Sequence, residues 1–315
     1  MASLRAGLGL VGGLGVLALA APILATDLSW VARSAQDGWT SPVLRGLLGI
    51  RAAPSANLEQ PVLGAPIPYS PEEIDLQRVF EAPSAAHWLG TDGLGRDVAS
   101  RVVHGGRASL AVGFLAALLA LGVGLPVGAV AGYRGGWADA VISRGVEAVL
   151  CFPTLLLALT VLAMAPRWLE GVPDIARLAI VLGVTGWIPV ARYLRGEFLR
   201  IRGSDMVAAA RASGAGHARL VIRHILPSSL APVLVTAAFA VGAAILLEAA
   251  LSFIGLGVRP PTPTWGGMLT EARVQVHRCW WLALFPGVAL FLAVLGCNLL
   301  GEGVRDRLDP RSRPG

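Results

Sequence analysis

The residues that most often carry out chemistry in enzymes are absent from this sequence or too scattered to act together. All 26 basic residues among the 315 are arginine, and no lysine occurs. The absence excludes the lysine of a Walker A loop, a Schiff-base lysine and the ATP-binding lysine of kinases. The protein therefore cannot bind and hydrolyse ATP through a Walker A loop of its own.

The cysteines and histidines show no spacing that would suit a metal ion or a disulfide framework. The three cysteines are odd in number and widely separated, and the histidines lack a pattern such as HxxxH. We expect no metal site and no cofactor bound by this chain. The residues are Cys151, Cys279 and Cys297, with His87, His104, His217, His224 and His277.

The elements that hold these residues are mainly apolar. Hydrophobic residues make up 55% of the chain and charged residues 15%, with a mean hydropathy of +0.65, whereas soluble domains carry about 25% charged residues. A bilayer core needs about 20 apolar residues of helix. Six stretches are candidates, and they predict an all-α integral membrane protein with a six-helix transmembrane bundle. They are residues 6–25, 108–133, 148–166, 177–192, 224–247 and 279–301.

The arginines decide the orientation of this bundle. The fourth stretch is short and by length alone suits a re-entrant segment as well as a span. Residues 192–223 hold seven arginines against two carboxylates, and the C-terminal tail is also basic. Both fall on one side of the membrane only if the fourth stretch spans, and the positive-inside rule then places both termini in the cytoplasm. We attribute the net charge of +6 to loops that face an anionic lipid bilayer rather than to nucleic acid.

This topology predicts four regions. Residues 1–25 form the first transmembrane helix, although a cleaved signal peptide is the alternative for them. Residues 26–107 form an external loop with an amphipathic segment. Residues 108–300 form a five-helix core that includes a cytoplasmic loop at 192–227, and residues 301–315 form a cytoplasmic tail.

The cytoplasmic loop has a structured sequence. Good helix formers at 207–213 are followed by two glycines and then by a second helical stretch that ends near Pro227. Two short helices hinged at a glycine would form a compact projection with an apolar tip and a basic rim, which suits docking into a groove on a partner.

The same residues resemble the EAA loop of bacterial ABC-importer permeases, which reads EAA, three residues, Gly, nine residues, then I-x-L-P. Two positions depart from it, since Ala208 replaces Glu and His224 replaces the first Ile. Further stretches resemble the "C"-type subunit of the oligopeptide, dipeptide and nickel permease family, and the resemblance covers about residues 85–311. They include HWLGTDGLGRDVASRVVHGGRASL at 87–110, AGYRGGWADAVISR at 131–144, FPTLLLAL at 152–159 and EAALSFIGLGVRPPTPTWGGML at 248–269.

The resemblance implies the fold of a type I ABC importer and a subunit that is not an enzyme. It implies a heterodimer with a second homologous permease, two cytoplasmic ATPase subunits that bind ATP and Mg²⁺, and an external solute-binding protein that delivers peptide or metal-ligand cargo. The implied ATPase-coupling residues are Ala209, Ala210, Arg211, Gly214, Ala215, Gly216, His224, Leu226 and Pro227.

Two further groups of residues are candidates. Glu248 and Phe253 lie at the outer end of the fifth apolar stretch, where an ionisable group is expensive. Glu248 either contributes to gating or the translocation path, or pairs structurally at the interface. Asp92, Arg96 and Asp97 precede the second stretch. They either dock the external protein or belong to a capped surface helix, in which Asp97 pairs with Arg101.

The alternative function is a stand-alone secondary transporter or channel. Such a protein needs carboxylates or histidines in mid-span for ion coupling, and the sequence offers almost none. A membrane enzyme has less support, because neither GxSxG nor HExxH occurs.

Overall fold

The computed structural model describes residues 2–25, 31–34, 38–40, 58–63, 65–164 and 169–308. The first helices are α1 (Ala2–Leu19), α2 (Ala21–Leu24), α3 (Val98–Arg134), α4 (Gly136–Leu150), α5 (Thr154–Met164), α6 (Asp174–Gly186) and α7 (Ile188–Arg202). They are followed by α8 (Asp205–Ala212), α9 (His217–Leu220), a π-helical turn (Val221–Ile225), α10 (Leu226–Phe253), α11 (Trp265–Ala272) and α12 (Trp281–Leu308).

The predicted helical membrane fold is confirmed, and every predicted apolar stretch contains helix. α3, α10 and α12 are each long and apolar enough to cross a membrane. The pairs α4–α5 and α6–α7 meet the same criterion only when each bent pair is taken together, and α1 is a shorter apolar helix. The boundaries of the four predicted regions remain predictions.

The third apolar stretch differs from a single straight span. α4 and α5 are bent by 91° at the break between them, and Pro153 occupies that break. A proline disfavours helical backbone at the residue before it, here Phe152, which ends α4 close to this point. The sequence analysis placed one helix across 148–166 and missed this bend.

The fourth apolar stretch is longer than the sequence suggested. α6 and α7 form a pair bent by only 40°, and α7 continues to Arg202. The first part of the predicted loop at 192–227 is therefore helical, with Arg192 and Arg195 on α7. α7 supplies the length for a membrane span that the uncharged residues between Arg177 and Arg192 lack on their own.

The predicted external loop contains structure that the sequence analysis did not anticipate. Three strands, β1 (Val31–Ser34), β2 (Gly38–Thr40) and β3 (Leu58–Leu63), form an antiparallel sheet in the order β2-β1-β3. The predicted amphipathic segment is the first turns of α3 rather than a separate helix. Residues 26–30, 35–37, 41–57 and 64 of this loop, and residues 309–315 of the predicted tail, lie outside the described residues.

The described chain forms two compact units. The first unit comprises Met1–Val11, Ala111–Leu251 and Leu292–Gly315, and the second comprises Gly12–Leu110 and Ser252–Phe291. In the first unit, a buried apolar cluster joins α7 to the 205–227 region. In the second unit, another apolar cluster joins the start of α3 to α11 and the start of α12.

Glycines allow close helix packing in the first unit. A Cβ on Gly128 of α3 would lie 2.5 Å from the carbonyl oxygen of Ala191 on α7, and one on Gly113 would lie 2.5 Å from Cγ1 of Ile245 on α10. Gly122 on α3 has no such neighbour within 4 Å. Lipid tails are as apolar as the side chains, so the hydrophobic effect does not drive these helices together. Close van der Waals packing at small residues such as these glycines is a main source of their attraction.

Candidate coupling segment and membrane cavity

The 205–227 segment begins with α8 and a left-handed glycine turn. Gly214 has φ +83°, its N–H donates to the carbonyl of Arg211 at 3.0 Å, and the N–H of Ala215 donates to the carbonyl of Ala210 at 3.1 Å. These two bonds form a Schellman motif, which ends a helix with glycine in the left-handed position. The glycine of the A-A-x-x-x-G pattern is therefore required by the geometry of the turn.

The second half of the segment continues directly into the membrane helix α10. α9 passes into the π-helical turn and then into α10 without an interruption of helical structure. Pro227 is the second residue of α10 and follows the π-helical turn directly. α9, the π-helical turn and α10 therefore form one continuous helical path.

Apolar side chains fix the segment to the rest of the first unit. Val207 of α8, Leu220 of α9 and Ile225 of the π-helical turn are buried in one cluster with Leu194 and Phe198 of α7. Burial of side chains of this size stabilises by about 1.5–3 kcal/mol each. This buried cluster packs the segment directly against α7.

The opposite face of the segment is exposed and basic. Ile222 is 67% exposed and Met206 is 43% exposed, so the surface carries apolar side chains beside its cations. Of the predicted coupling residues, Ala209, Arg211, Gly214, Gly216 and Pro227 are exposed, and Ala210, Ala215, His224 and Leu226 are half-buried. Arg219 and Arg223 are also exposed. This surface can dock a partner that offers apolar contacts and negative charge.

A polar contact that the sequence analysis missed holds the segment to α3. The hydroxyl of Tyr133 lies 2.7 Å from Nδ1 of His217, and Nη1 of Arg202 donates to the carbonyl of Tyr133 at 2.9 Å. Tyr133 and His217 are far apart in sequence, and no sequence pattern indicates that a tyrosine and a histidine at these positions would pair. Only the fold brings them together.

A cavity of about 390 Å³ lies among α3, α4, α5, α6, α7 and α10 in the first unit. Its lining is apolar and rich in small residues, with hydroxyl groups from Thr154, Thr185 and Thr236 and with no charged side chain. Sequence periodicity could not identify this cavity, because its walls combine six helices. Its surface can accommodate a solute but offers no fixed charge to select one.

The two predicted gating residues lie in different environments, and neither lines this cavity in the described structure. Glu248 on α10 is fully buried. Phe253 is 43% exposed, and the guanidinium of Arg273 lies 5.5 Å from its ring centre, a cation–π distance. Their involvement in gating remains a prediction.

The predicted external docking residues are buried in a charged network of the second unit. Asp92 accepts bonds from the backbone N–H of Leu94 and Arg96 and from Nε of Arg96 at 2.8 Å, and it also pairs with Arg101. Glu271 on α11 accepts from Nη1 and Nη2 of Arg101 at 2.6 and 2.9 Å. With their side chains buried, Asp92, Arg96 and Asp97 present little surface to a partner. Their side chains have a structural role in this network, and docking of the external protein at these residues stays a prediction.

The predicted pairing of Asp97 with Arg101 is wrong. Asp97 is the N-cap of α3: its Oδ1 accepts from the N–H of Ser100 at 2.7 Å, and its Oδ2 lies 2.9 Å from Nδ1 of His87. The i,i+4 rule applies to residues inside a helix, whereas an N-cap side chain turns back to the free N–H groups of the first turn.

The described residues contain no group of three or more His, Cys, Asp or Glu side chains that could hold a metal ion. The three cysteines have no disulfide partner, and only Cys151 is exposed.

Comparisons with known proteins identify the family. The family model described as "Binding-protein-dependent transport system inner membrane component" matches residues 124–314. The dipeptide transport system permease protein DppC of Alkalihalophilus pseudofirmus is 41% identical over 74% of this chain and 75% of its own length. The glutathione transport system permease protein GsiD of Pectobacterium atrosepticum is 40% identical over 78% of this chain and 80% of its own length.

A solved structure shares the fold. A chain from the inward-facing MetNI methionine ABC transporter superposes with a TM-score of 0.54 at 20% identity, over 66% of this chain and 94% of that one. This likeness confirms the importer-type helical fold. The family model and the permease relatives together establish that the chain belongs to the family of inner membrane components of binding-protein-dependent transport systems.

Proposed function

We propose that this chain is one of two different membrane-spanning subunits of an ATP-driven importer for peptides or a related small solute such as a nickel complex. The chain is a non-catalytic permease subunit, as its family and relatives indicate. Two cytoplasmic ATPases supply the energy, and an external solute-binding protein delivers the cargo. The names of the relatives support peptide cargo, since they include dipeptide, glutathione and peptide permeases.

One observation carries the proposal most directly. The 205–227 segment has an exposed basic face on a buried apolar base, and it is continuous with α10. A partner that binds this face can therefore move a helix that lines the cavity. Interfaces between elements have discrete packed arrangements, so such a movement can switch the cavity between two states.

The lining of the cavity supports different roles for this subunit and for the external solute-binding protein. Its lining contains three threonine hydroxyls but no charged group, so it cannot recognise the side-chain charge of a peptide through ion pairs. We assign selection of the cargo to the external protein and passage of the cargo to this surface.

The orientation follows from the arginines. The basic 205–227 segment and both chain termini lie in the cytoplasm, where the positive-inside rule places arginine-rich segments. The second unit contains the residues assigned to the exterior, including the segment around Gln77.

Sided labelling tests this proposal. With exposed Cys151 changed to serine, a cysteine is placed at Ala209 or, as the matched control, at Gln77, and both positions are exposed. In intact cells an impermeant maleimide should label Q77C and leave A209C unlabelled until the membrane is opened. Cross-linking from A209C should then capture the ATPase. Labelling of A209C in intact cells would refute the orientation and the ATPase contact together.

The stand-alone transporter remains the second candidate, because Glu248 is fully buried in a membrane helix and a buried carboxylate can couple transport to protons. Uptake that requires ATP and persists in Glu248→Gln would favour the importer. Uptake that follows a proton gradient without any ATPase would favour the alternative.

A further inference from the structure

Tyr133 joins the ends of three elements in the first unit. It lies one residue before the end of α3, its carbonyl accepts a bond from Arg202 at the end of α7, and its hydroxyl bonds to His217 at the start of α9. The rings of Tyr133 and His217 also meet edge to face, with centres 5.9 Å apart. Nothing in the proposed ATPase docking requires this contact.

We propose that Tyr133 is a positioning residue that couples the 205–227 segment to α3 through His217. This inference rests on the proposed function. α9 is the first turn of a helical path that continues into α10, and the terminal turn of a helix frays unless other contacts hold it. Leu220 anchors one end of α9 in the apolar cluster, and Tyr133 anchors the other end through His217.

The contact between Tyr133 and His217 gives displacements of the 205–227 segment a second path to the walls of the cavity. The first route is covalent and leads through the π-helical turn to α10. The second route leads through Tyr133 into α3, a continuous helix from Val98 to Arg134 that lines the cavity with Ala116, Ala117 and Ala120. Movement of the segment by an ATPase therefore displaces two cavity walls in the same step.

The hydrogen bond can be removed from either side with little change of shape. Tyr133→Phe deletes the hydroxyl and keeps the ring, and His217→Ala deletes the partner at an exposed position. In the tautomer with its proton on Nε2, His217 accepts the bond at Nδ1. An asparagine carbonyl oxygen can accept the same bond, so His217→Asn is the rescue variant.

The experiment is a double-mutant cycle in the assembled transporter with its ATPases, second membrane subunit and solute-binding protein. The readouts are solute imported per ATP hydrolysed and the amount of ATPase that co-purifies. We expect Tyr133→Phe and His217→Ala each to lower import per ATP by about fivefold, within the range of one ordinary hydrogen bond. The double variant should be no worse than either single one, and ATPase co-purification should be unchanged.

Two variants serve as references. Tyr193→Phe removes the hydroxyl of another tyrosine, which is 48% exposed on α7, and it should import normally. His217→Asn should recover most of the import per ATP, which a loss caused by general destabilisation would not show.

Multiplicative losses in the double variant, or normal import per ATP in both single variants, would overturn the positioning role of Tyr133. Failure of the wild-type chain to retain any ATPase is a different result, because it would refute the proposed function itself.

Discussion

Two charged regions of this protein look alike in sequence and differ completely in structure. Around residues 92–101, two arginines and a carboxylate are buried and pair with each other and with the more exposed Glu271. Around residues 211–223, three arginines lie on an exposed face. Docking of a partner is one of two interpretations of the first region and the predicted role of the second. The arginines of the first region have their counter-charges within the fold, whereas those of the second face solvent, so only the second region offers its charge to a partner.

The two regions also stabilise the protein differently. Removal of one partner of a buried ion pair leaves the other charge uncompensated inside the protein. This lowers the stability of the folded state considerably. An exposed arginine is solvated whether or not a partner is present, and its removal changes stability little. The comparison can therefore be tested by equivalent substitutions in the two regions.

The largest effect is expected for Arg101→Met. The side chain of Arg101 is 5% exposed and pairs with Asp92 and Glu271, so its loss should lower the free energy of unfolding by about 3–5 kcal/mol. Arg107→Met, the same change at an exposed position of α3, is the control. Thermal unfolding of the detergent-purified subunit measures both. Equal midpoints would show that the network does not stabilise the second unit.

A smaller loss is expected where α3 crosses α7. A Cβ on Gly128 would overlap the carbonyl of Ala191, whereas Gly122 on the same helix has open space. Gly128→Ala should destabilise by about 1–3 kcal/mol through overpacking, and Gly122→Ala should be neutral or slightly stabilising. The same unfolding assay compares them, and a neutral Gly128→Ala would contradict the close helix crossing.

The third prediction concerns the turn of the 205–227 segment. Gly214 has a left-handed backbone with φ +83°, so Gly214→Ala should cost about 1–2 kcal/mol locally. Gly216 has φ −69°, which alanine adopts freely. Co-purification of the ATPase should fall in Gly214→Ala and not in Gly216→Ala. Equal retention of the ATPase by both would mean that the turn does not shape the docking surface.

The smallest change in stability is expected for Arg211→Ala. Arg211 is exposed on α8, and a surface change of this kind stays within about 0.5 kcal/mol. Its effect on binding should nevertheless be measurable as weaker ATPase co-purification than the wild type at low salt, and the difference should shrink at high salt, which screens exposed charges. A stability loss as large as that of Arg101→Met would remove the distinction between the two regions.

The sequence predicted the helices better than it predicted their breaks. Apolar length located five of the six stretches, because the requirement for about 20 apolar residues is independent of their neighbours, and the distribution of arginine decided the fourth. The bend at Pro153 and the extension of α7 to Arg202 depend on local backbone geometry and on packing. The strands between Val31 and Leu63 had no recognisable alternating pattern.

In the candidate site, too, a local feature was predicted from the sequence and contacts between distant residues were not. Gly214 was identified from a local motif, and the structure gives it a local reason in the Schellman turn. The pairing of Arg101 with Glu271 and the bond between Tyr133 and His217 join residues that are distant in sequence. Such contacts are properties of the fold, and one sequence contains no direct signal for them.

The central claim is that this chain is moved by an ATPase that it does not contain. Reconstitution into proteoliposomes with a labelled dipeptide tests it most directly, with this chain alone and with its second membrane subunit, ATPases and solute-binding protein. The account predicts no uptake by the chain alone and ATP-dependent uptake by the complete set. Dipeptide uptake by the chain alone, without ATP, would contradict it.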